Sequence, residues 1–332
     1  MRALFLVVLY AGLCFASSVS DQENIELLMD NVLVVGIPYD KSSRVHVPLS
    51  CGESYENRPV VWKKDGEEIE PALQGNRVTV LVVGMDGGNY TCHLSPNGDY
   101  LNHTVIMTQI KPDNRTVILA TQSPKLEKEG GHIHCSAANY NGSFHCHWSR
   151  MPPRSKAPVF LVKVERYLEK ISCELDAGGS GITCKDAGCT YKEEQHRIVL
   201  SLYLRSASLL EAYTKTFYLR EIVRPDALPN LHTSDGKLFS WSFPESWEKP
   251  CSFFSLEFDV KVVVPKGLLC DCDKDEAKLS DTTQETKFEV KVKEKKFVFC
   301  VRARDRLTNG PFSEWSMIKV NRRTDFLHRR RS

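Results

Sequence analysis

The chain has 332 residues, 44 basic against 42 acidic, a net charge of +2 and 42% hydrophobic residues. That near balance excludes nucleic-acid binding through bulk charge. The length exceeds what one core supports, so two or three domains of roughly 100–150 residues are expected.

Residues 1–20 read as a secretory signal peptide. Met1-Arg2 is positive, Ala3 to Phe15 is almost unbroken apolar sequence, and Ala16-Ser17-Ser18 is small enough for cleavage. No later run nears the roughly 18 apolar residues of a membrane helix. Val260–Val264 is strand-sized and carries Lys261. A secreted, extracellular product is therefore expected. Of 12 cysteines, Cys14 lies in the leader. The 11 that remain are an odd number, which in an oxidising compartment leaves one thiol for another chain. Sequons begin at Asn89, Asn102, Asn114 and Asn141, marking sites of N-glycosylation on exposed loops or strand edges.

Helical periodicity is nearly absent. Strand-like runs recur at Arg44–Leu49, Val60–Lys63, Arg77–Val83, Thr104–Ile110, Phe160–Glu165, Ile198–Leu204, Phe253–Val264, Lys287–Val292 and Phe297–Arg304, separated by turn residues. That rhythm predicts an all-β chain of sandwiches. Ile110-Lys111-Pro112-Asp113 and Val223-Arg224-Pro225-Asp226 are near-copies. In each, proline stiffens the chain as it leaves a strand. They divide the chain into domains 21–110, 111–224 and 225–321, followed by a basic tail, 322–332. Arg322-Arg323 and Arg329-Arg330-Arg331 make that tail either a solvated end or a heparan-sulfate contact.

In the first domain Cys51 is followed by Trp62 and then by Asp86-Gly87-Gly88-Asn89-Tyr90-Thr91-Cys92. A Cys51–Cys92 bridge between sheets, a Trp packed on it and a Tyr two residues before the second Cys define an immunoglobulin-like sandwich. In the middle domain Cys135 and Cys146 flank Asn139-Tyr140-Asn141-Gly142, a hairpin turn that permits a cross-strand bridge. His132, His134, His145 and His147 fall on the opposite face by strand parity. They read as an exposed polar face, with zinc as the alternative; no metal or cofactor is expected.

Asp176–Gly181 is a flexible turn that permits a Cys173–Cys184 bridge. Cys189, after Gly188 and before Thr190, is then the spare thiol. The alternative is that Cys189 pairs inside the domain and Cys184 is free. In the third domain Leu238–Pro244 carries alternating aromatics that suit an early fibronectin type III strand. Arg302 and Arg304 share a strand face, and Trp315 is expected to slot between their guanidinium groups. Cys251, Cys270, Cys272 and Cys300 pair in three ways. A Cys270–Cys272 bridge is geometrically poor, so Cys251 and Cys300 each take one of them, in an order left open. Gly-x-Ser-x-Gly, His-Glu-x-x-His and phosphate-loop motifs are all missing, so no enzyme is expected.

Phe312-Ser313-Glu314-Trp315-Ser316 resembles the tryptophan–serine box of class I cytokine receptors. Asn139–Phe144, Arg220–Asp226, Phe253–Leu256 and Val301–Arg306 resemble segments of the beta-subunit family of interleukin-12, shared with interleukin-23. The resemblance spans about Val45 to Met317. It implies an immunoglobulin-like sandwich followed by two fibronectin type III sandwiches. It also implies a soluble, receptor-like subunit that is disulfide-linked through Cys189 to a four-helix alpha subunit.

By the same resemblance the helical partner docks at the elbow of the two fibronectin-like domains. There its arginine meets Asp305, with Tyr140, Glu193, Phe253 and Leu307 around it. Phe253 and Leu307 stand where the family often has Tyr. The immunoglobulin domain would face a cell-surface receptor chain. Phe312 replaces the first Trp of the box, which is expected to weaken that end of an aromatic ladder. A homodimer through Cys189 is a variant of this reading. The competing one is a soluble receptor or decoy that binds a helical cytokine reversibly.

Overall fold

The computed structural model describes residues 24–39, 43–112, 115–120, 131–152, 156–188, 194–248, 255–264 and 270–322. Nearly all regular structure among them is β. The strands are β1 Ile25–Met29, β2 Val32–Pro38, β3 Arg44–Ser50, β4 Val60–Lys64, β5 Glu67–Glu68, β6 Arg77–Val83, β7 Gly88–Leu94 and β8 Asp99–Lys111. They continue with β9 His134–Ser136, β10 Ser143–His147, β11 Val159–Arg166, β12 Glu169–Lys170, β13 Ser172–Leu175, β14 Gly181–Lys185, β15 Ile198–Ser206 and β16 Leu209–Phe217. The last group is β17 His232–Thr233, β18 Leu238–Ser240, β19 Leu256–Val263, β20 Ala277–Thr283, β21 Lys287–Glu289, β22 Lys296–Asp305 and β23 Ser316–Asn321. No helix of the described residues is long and apolar enough to cross a membrane. The backbone contacts group the chain into two compact units.

The first unit holds the chain through Leu119, with Arg150–Val162 and Leu202–Tyr213. β3 pairs β6 antiparallel, and along β3 Val45, Val47 and Leu49 point inward while Arg44, His46, Pro48 and Ser50 point out. This period-2 alternation is what a half-buried strand requires. β4, β7 and β8 pair antiparallel, and β2 runs parallel to β8 from Val32↔Val105 to Pro38↔Lys111. The inward residues enclose the Cys51–Cys92 bridge, with Trp62, Tyr90 and Ile106 buried around it. The Trp62 indole N–H donates to Gly75 O at 3.0 Å, which satisfies its one polar atom.

A second apolar cluster in this unit joins Leu28, Val32, Val34 and Met107 to Leu210, with Phe160, Leu161 and Tyr203 against it. Beside it the buried Glu211 carboxylate accepts from the Thr116 and Val117 amides, both at 2.9 Å. The Thr116 and Tyr213 hydroxyls also donate to it, both at 2.6 Å. Burial alone would raise the Glu211 pKa. The Thr116 and Tyr213 hydroxyls and the two amides outweigh it and hold the carboxyl below its ordinary value.

The second unit holds Ala120–Ser149, Lys163–Ser201 and the chain from Thr214 onward. One sheet has the order β13-β14-β10-β9. Cys135↔Cys146 and Cys173↔Cys184 are direct cross-strand partners in it, and both are bridged. Sheets ordered β17-β18-β21 and β20-β19-β22-β23 follow. Phe239 stacks on Phe299 with ring centroids 4.0 Å apart, and Trp241 meets Phe258 edge-on at 5.3 Å. These are the alternating inward aromatics of β18 and its continuation.

Arg322, read from sequence as the start of a solvated tail, is built into this unit. Its Nε and Nη2 donate to Gly236 O at 3.0 and 2.7 Å, and its Nη1 donates to Val292 O at 2.8 Å. Residues 323–332 lie outside the described residues.

Candidate partner-binding surface

Asp305 ends β22 and has no solvent exposure. Its Oδ1 accepts from the Leu307 amide at 2.7 Å and the Thr308 amide at 3.2 Å, so it ties the turn after the strand. Its Oδ2 accepts from the Tyr140 hydroxyl at 2.6 Å. Burial, and then the hydrogen bond to Asp305, raise the Tyr140 pKa. Among the described residues this carboxylate has no cationic partner. All three donors are neutral, and a carboxylate has about four lone-pair positions.

The Asn139–Asn141 turn is fixed around it. The Asn139 side chain donates to Ser246 O at 2.5 Å, Ser246 donates to Asp226 Oδ2, and Tyr140 meets buried Trp247 edge-on at 6.2 Å. Leu307 projects from the Asp305 turn, 71% exposed. Structure thus brings Tyr140, Asp305 and Leu307 together. Glu193 and Phe253 lie outside the described residues. Trp247 has no motif of its own, and only its nearness to Tyr140 reveals it.

The tryptophan–serine box lies against β22. Arg302 stands 4.2 Å from the ring centroids of both Phe312 and Trp315. Arg304 stands 4.7 Å from Phe312, and Lys261 stands 5.1 Å from Trp315. The ladder therefore runs Arg304, Phe312, Arg302, Trp315, Lys261. The expectation that Trp315 separates the two guanidinium groups is corrected: Phe312 holds that place, and Trp315 lies between Arg302 and Lys261.

Register supplies the reason. Asp259 and Glu257 on β19 are direct partners of Arg302 and Arg304 on β22, and they orient the guanidinium groups at 2.9 and 2.8 Å. Lys261, two residues on, shares their face. The Ser313 amide donates to Ala303 O, and its hydroxyl accepts from the Ala303 amide. Glu314 pairs with Arg224, and the Ser316 hydroxyl donates to Leu228 O.

Cys189 lies outside the described residues, which stop at Gly188 and resume at Glu194. Residues flanking that interval, Asp186 before it and Glu194 after it, meet one guanidinium. Arg166 Nη2 is 2.8 Å from Asp186 Oδ2 and 3.1 Å from Glu194 Oε1, all three side chains being nearly buried. Glu194 also accepts from the Leu219 and Arg220 amides. In the third-domain set Cys272 is bridged to Cys300 with Cα atoms 6.3 Å apart, which leaves Cys270 a free, half-buried thiol and corrects the expectation that Cys270 is also bridged. Cys251 lies outside the described residues.

Asn89 is exposed. Asn141 is half-buried and its Oδ1 accepts from the Ser143 amide. Asn102 is half-buried, with its Nδ2 donating to Cys51 O. Asn114 lies outside the described residues. The rings of His134, His145 and His147 cluster on the face away from the Cys135–Cys146 bridge, and His145 is 3.0 Å from Asp176. Among the described residues no group of three or more side chains is arranged to hold a metal.

Bridged β sheets, an arginine–aromatic ladder and a buried acidic turn beside an exposed Leu define a disulfide-bridged, all-β chain of sandwich sheets. Comparison with known proteins places it further. A family model described as cytokine interleukin-12p40 C-terminus matches residues 130–206. Interleukin-12 subunit beta of Sigmodon hispidus is 30% identical over 300 residues, covering 83% of this chain and 86% of that protein. The subunit from Homo sapiens is 29% identical over 296 residues, covering 82% and 85%. That from Lama glama is 28% identical over 320 residues, covering 89% and 92%. The chain belongs to the interleukin-12 subunit beta family and is a cytokine subunit.

Proposed function

We propose that this chain is the secreted, receptor-like half of a heterodimeric cytokine, joined by Cys189 to a four-helix alpha subunit. It is organised as an immunoglobulin-like domain, 21–110, and two fibronectin type III domains, 111–224 and 225–321. The helical subunit docks where Tyr140, Asp305 and Leu307 meet, with Glu193 and Phe253 completing the surface.

The observation that carries this reading is the buried Asp305 carboxylate, satisfied by three neutral donors and by no cation among the described residues. A partner guanidinium that displaces the exposed Leu307 side chain reaches this carboxylate, supplies the missing charge and takes the remaining lone pair. Removing one member of such a pair costs about 2–5 kcal/mol of binding. The immunoglobulin-like domain engages a cell-surface receptor chain and so signals to immune cells. Leu81, Val83 and Met85, 42%, 38% and 61% exposed, give it an outward apolar patch for that purpose.

Co-expression of Cys189→Ser with an interleukin-12-type helical subunit tests the covalent part. The two chains are expected to co-purify under native conditions and to separate on a non-reducing gel. A covalent pair unchanged by the substitution sinks the assignment of Cys189. A wild-type chain secreted only with a free or cysteinylated Cys189 supports a reversible soluble receptor instead.

A further inference from the structure

β11 turns into β12 through two residues, Tyr167 and Leu168, between the paired Arg166 and Glu169. Both adopt left-handed backbone, with φ of 45° and 69°. A two-residue hairpin of this hand needs positive φ at both places, and Asn-Gly supplies it with little steric conflict. Bulky side chains there are outliers. Neither is compensated by burial, since Tyr167 is 71% and Leu168 88% exposed. Strained, exposed apolar residues at the tip of an ordered hairpin direct attention to function rather than to folding.

The surroundings make the tip rigid and fix where it stands. The Tyr167 ring lies flat on His196, with centroids 4.3 Å apart and planes 14° from parallel. Arg166, which opens the turn, donates to His196 O at 2.8 Å while pairing with Asp186 and Glu194. One guanidinium thus holds the hairpin base, the stacking platform, and Asp186 and Glu194, which flank in sequence the interval that contains Cys189. Glu169 Oε2 lies 3.6 Å from the place a Cβ on Gly188 would take, one residue before that cysteine. A pre-organised aromatic and aliphatic pair, on a hairpin whose Glu169 stands beside Gly188, is the arrangement of a binding anchor.

We propose that the Tyr167–Leu168 tip is a docking element for the chain bonded at Cys189, seated in an apolar notch of that chain. This rests on the reading of Cys189 as the interchain cysteine.

The test replaces the tip with the residues its backbone favours, Tyr167→Asn with Leu168→Gly. In a Cys189→Ser background, the Kd for an immobilised interleukin-12-type helical subunit is expected to rise tenfold or more, on the order of a hot-spot loss. The melting temperature of the unbound chain is expected to rise, because the strain is relieved. A merely structural role predicts that stability and affinity fall together. An unchanged Kd, a lowered melting temperature, or an effect confined to self-association overturns the proposal.

Leu168→Lys, which leaves Tyr167 in place, is a second variant expected to raise the Kd. With Cys189 intact, a covalent pair with unchanged affinity overturns the tip alone. If the wild-type tip gives no covalent pair, the Cys189 reading fails and takes the tip proposal with it.

Discussion

Tyr140 donates to a carboxylate with no exposed surface, so its hydroxyl does for Asp305 what water does for an exposed aspartate. Removing it leaves Oδ2 without a donor in a site that excludes solvent. Tyr140→Phe is expected to destabilise the chain by about 1–3 kcal/mol, the cost of an unsatisfied buried acceptor, measured from urea midpoints at pH 7. The pH dependence has a definite sign. Burial and the Asp305 hydrogen bond raise the Tyr140 pKa above its ordinary 10.0, so folding favours the neutral phenol. That contribution is whole below about pH 10 and is lost as pH rises toward the folded pKa. Tyr213, also raised, by burial and its bond to Glu211, adds to the same limb. The difference between wild type and Tyr140→Phe isolates Tyr140, and the variant is expected to lose less stability between pH 9 and 11. Equal slopes would show that the bond does not couple to folding. Asp305 and Tyr140 were legible in the sequence because their neighbours resemble family segments. The burial of Asp305 was not, since a lone Asp-Arg-Leu-Thr turn looks solvated until β22 and the Asn139 turn are brought together. Glu211 was wholly illegible: three of its four donors lie about 95 residues away, and no local pattern marks it.

At the scale of elements, strand parity was the readable quantity. It put Arg302 and Arg304 on one face and Phe239 and Trp241 inside, as they stand. It did not supply the partner strand's register, so Lys261, Asp259 and Glu257 went unnoticed as ladder members although β19 sets them opposite the arginines. The short apolar β2 and the amphipathic β16 were passed over, because buried runs without turn signals carry no clear period. The ladder also revises the cost of Phe at 312. Phe312 fills its rung, 4.2 and 4.7 Å from two guanidinium groups; what it lacks is the larger indole face, the best of the aromatic partners for a cation. Phe312→Trp is therefore expected to stabilise the chain by about 0.5 kcal/mol, within the range of exposed cation–π pairs. Trp315→Phe, which weakens contacts to both Arg302 and Lys261, is expected to destabilise by a similar amount. The measurement is the thermal midpoint of each variant; a destabilising Phe312→Trp would mean that the rung has no room for an indole.

For the whole molecule, the proline linkers read from sequence describe the path of the chain, whereas compactness follows buried area. Leu28, Val34 and Met107 in the first unit are 2%, 5% and 1% exposed, and Leu210, Phe160, Leu161 and Tyr203 cover them. Those covering residues lie 50 to 100 positions beyond the first linker, on strands whose role no local signal announces. A fragment of residues 21–112 keeps the Cys51–Cys92 core but uncovers this second cluster. At roughly 25 cal/mol per Å² of apolar surface returned to water, the loss of a few large side-chain contacts amounts to several kcal/mol, comparable with the net stability of a domain this size. The fragment is therefore expected to form its disulfide, bind a hydrophobic dye and self-associate at micromolar concentration. Met107→Thr with Val34→Thr is expected to reduce dye binding in the fragment, because those side chains are then exposed, and to destabilise the intact chain, where both remain buried. Opposite effects of one pair of substitutions in two contexts follow only if the cluster is covered by the distant strands. A wild-type fragment that stays monomeric, ignores the dye and melts at the intact chain's temperature would mean that the immunoglobulin-like segment closes its own core without them.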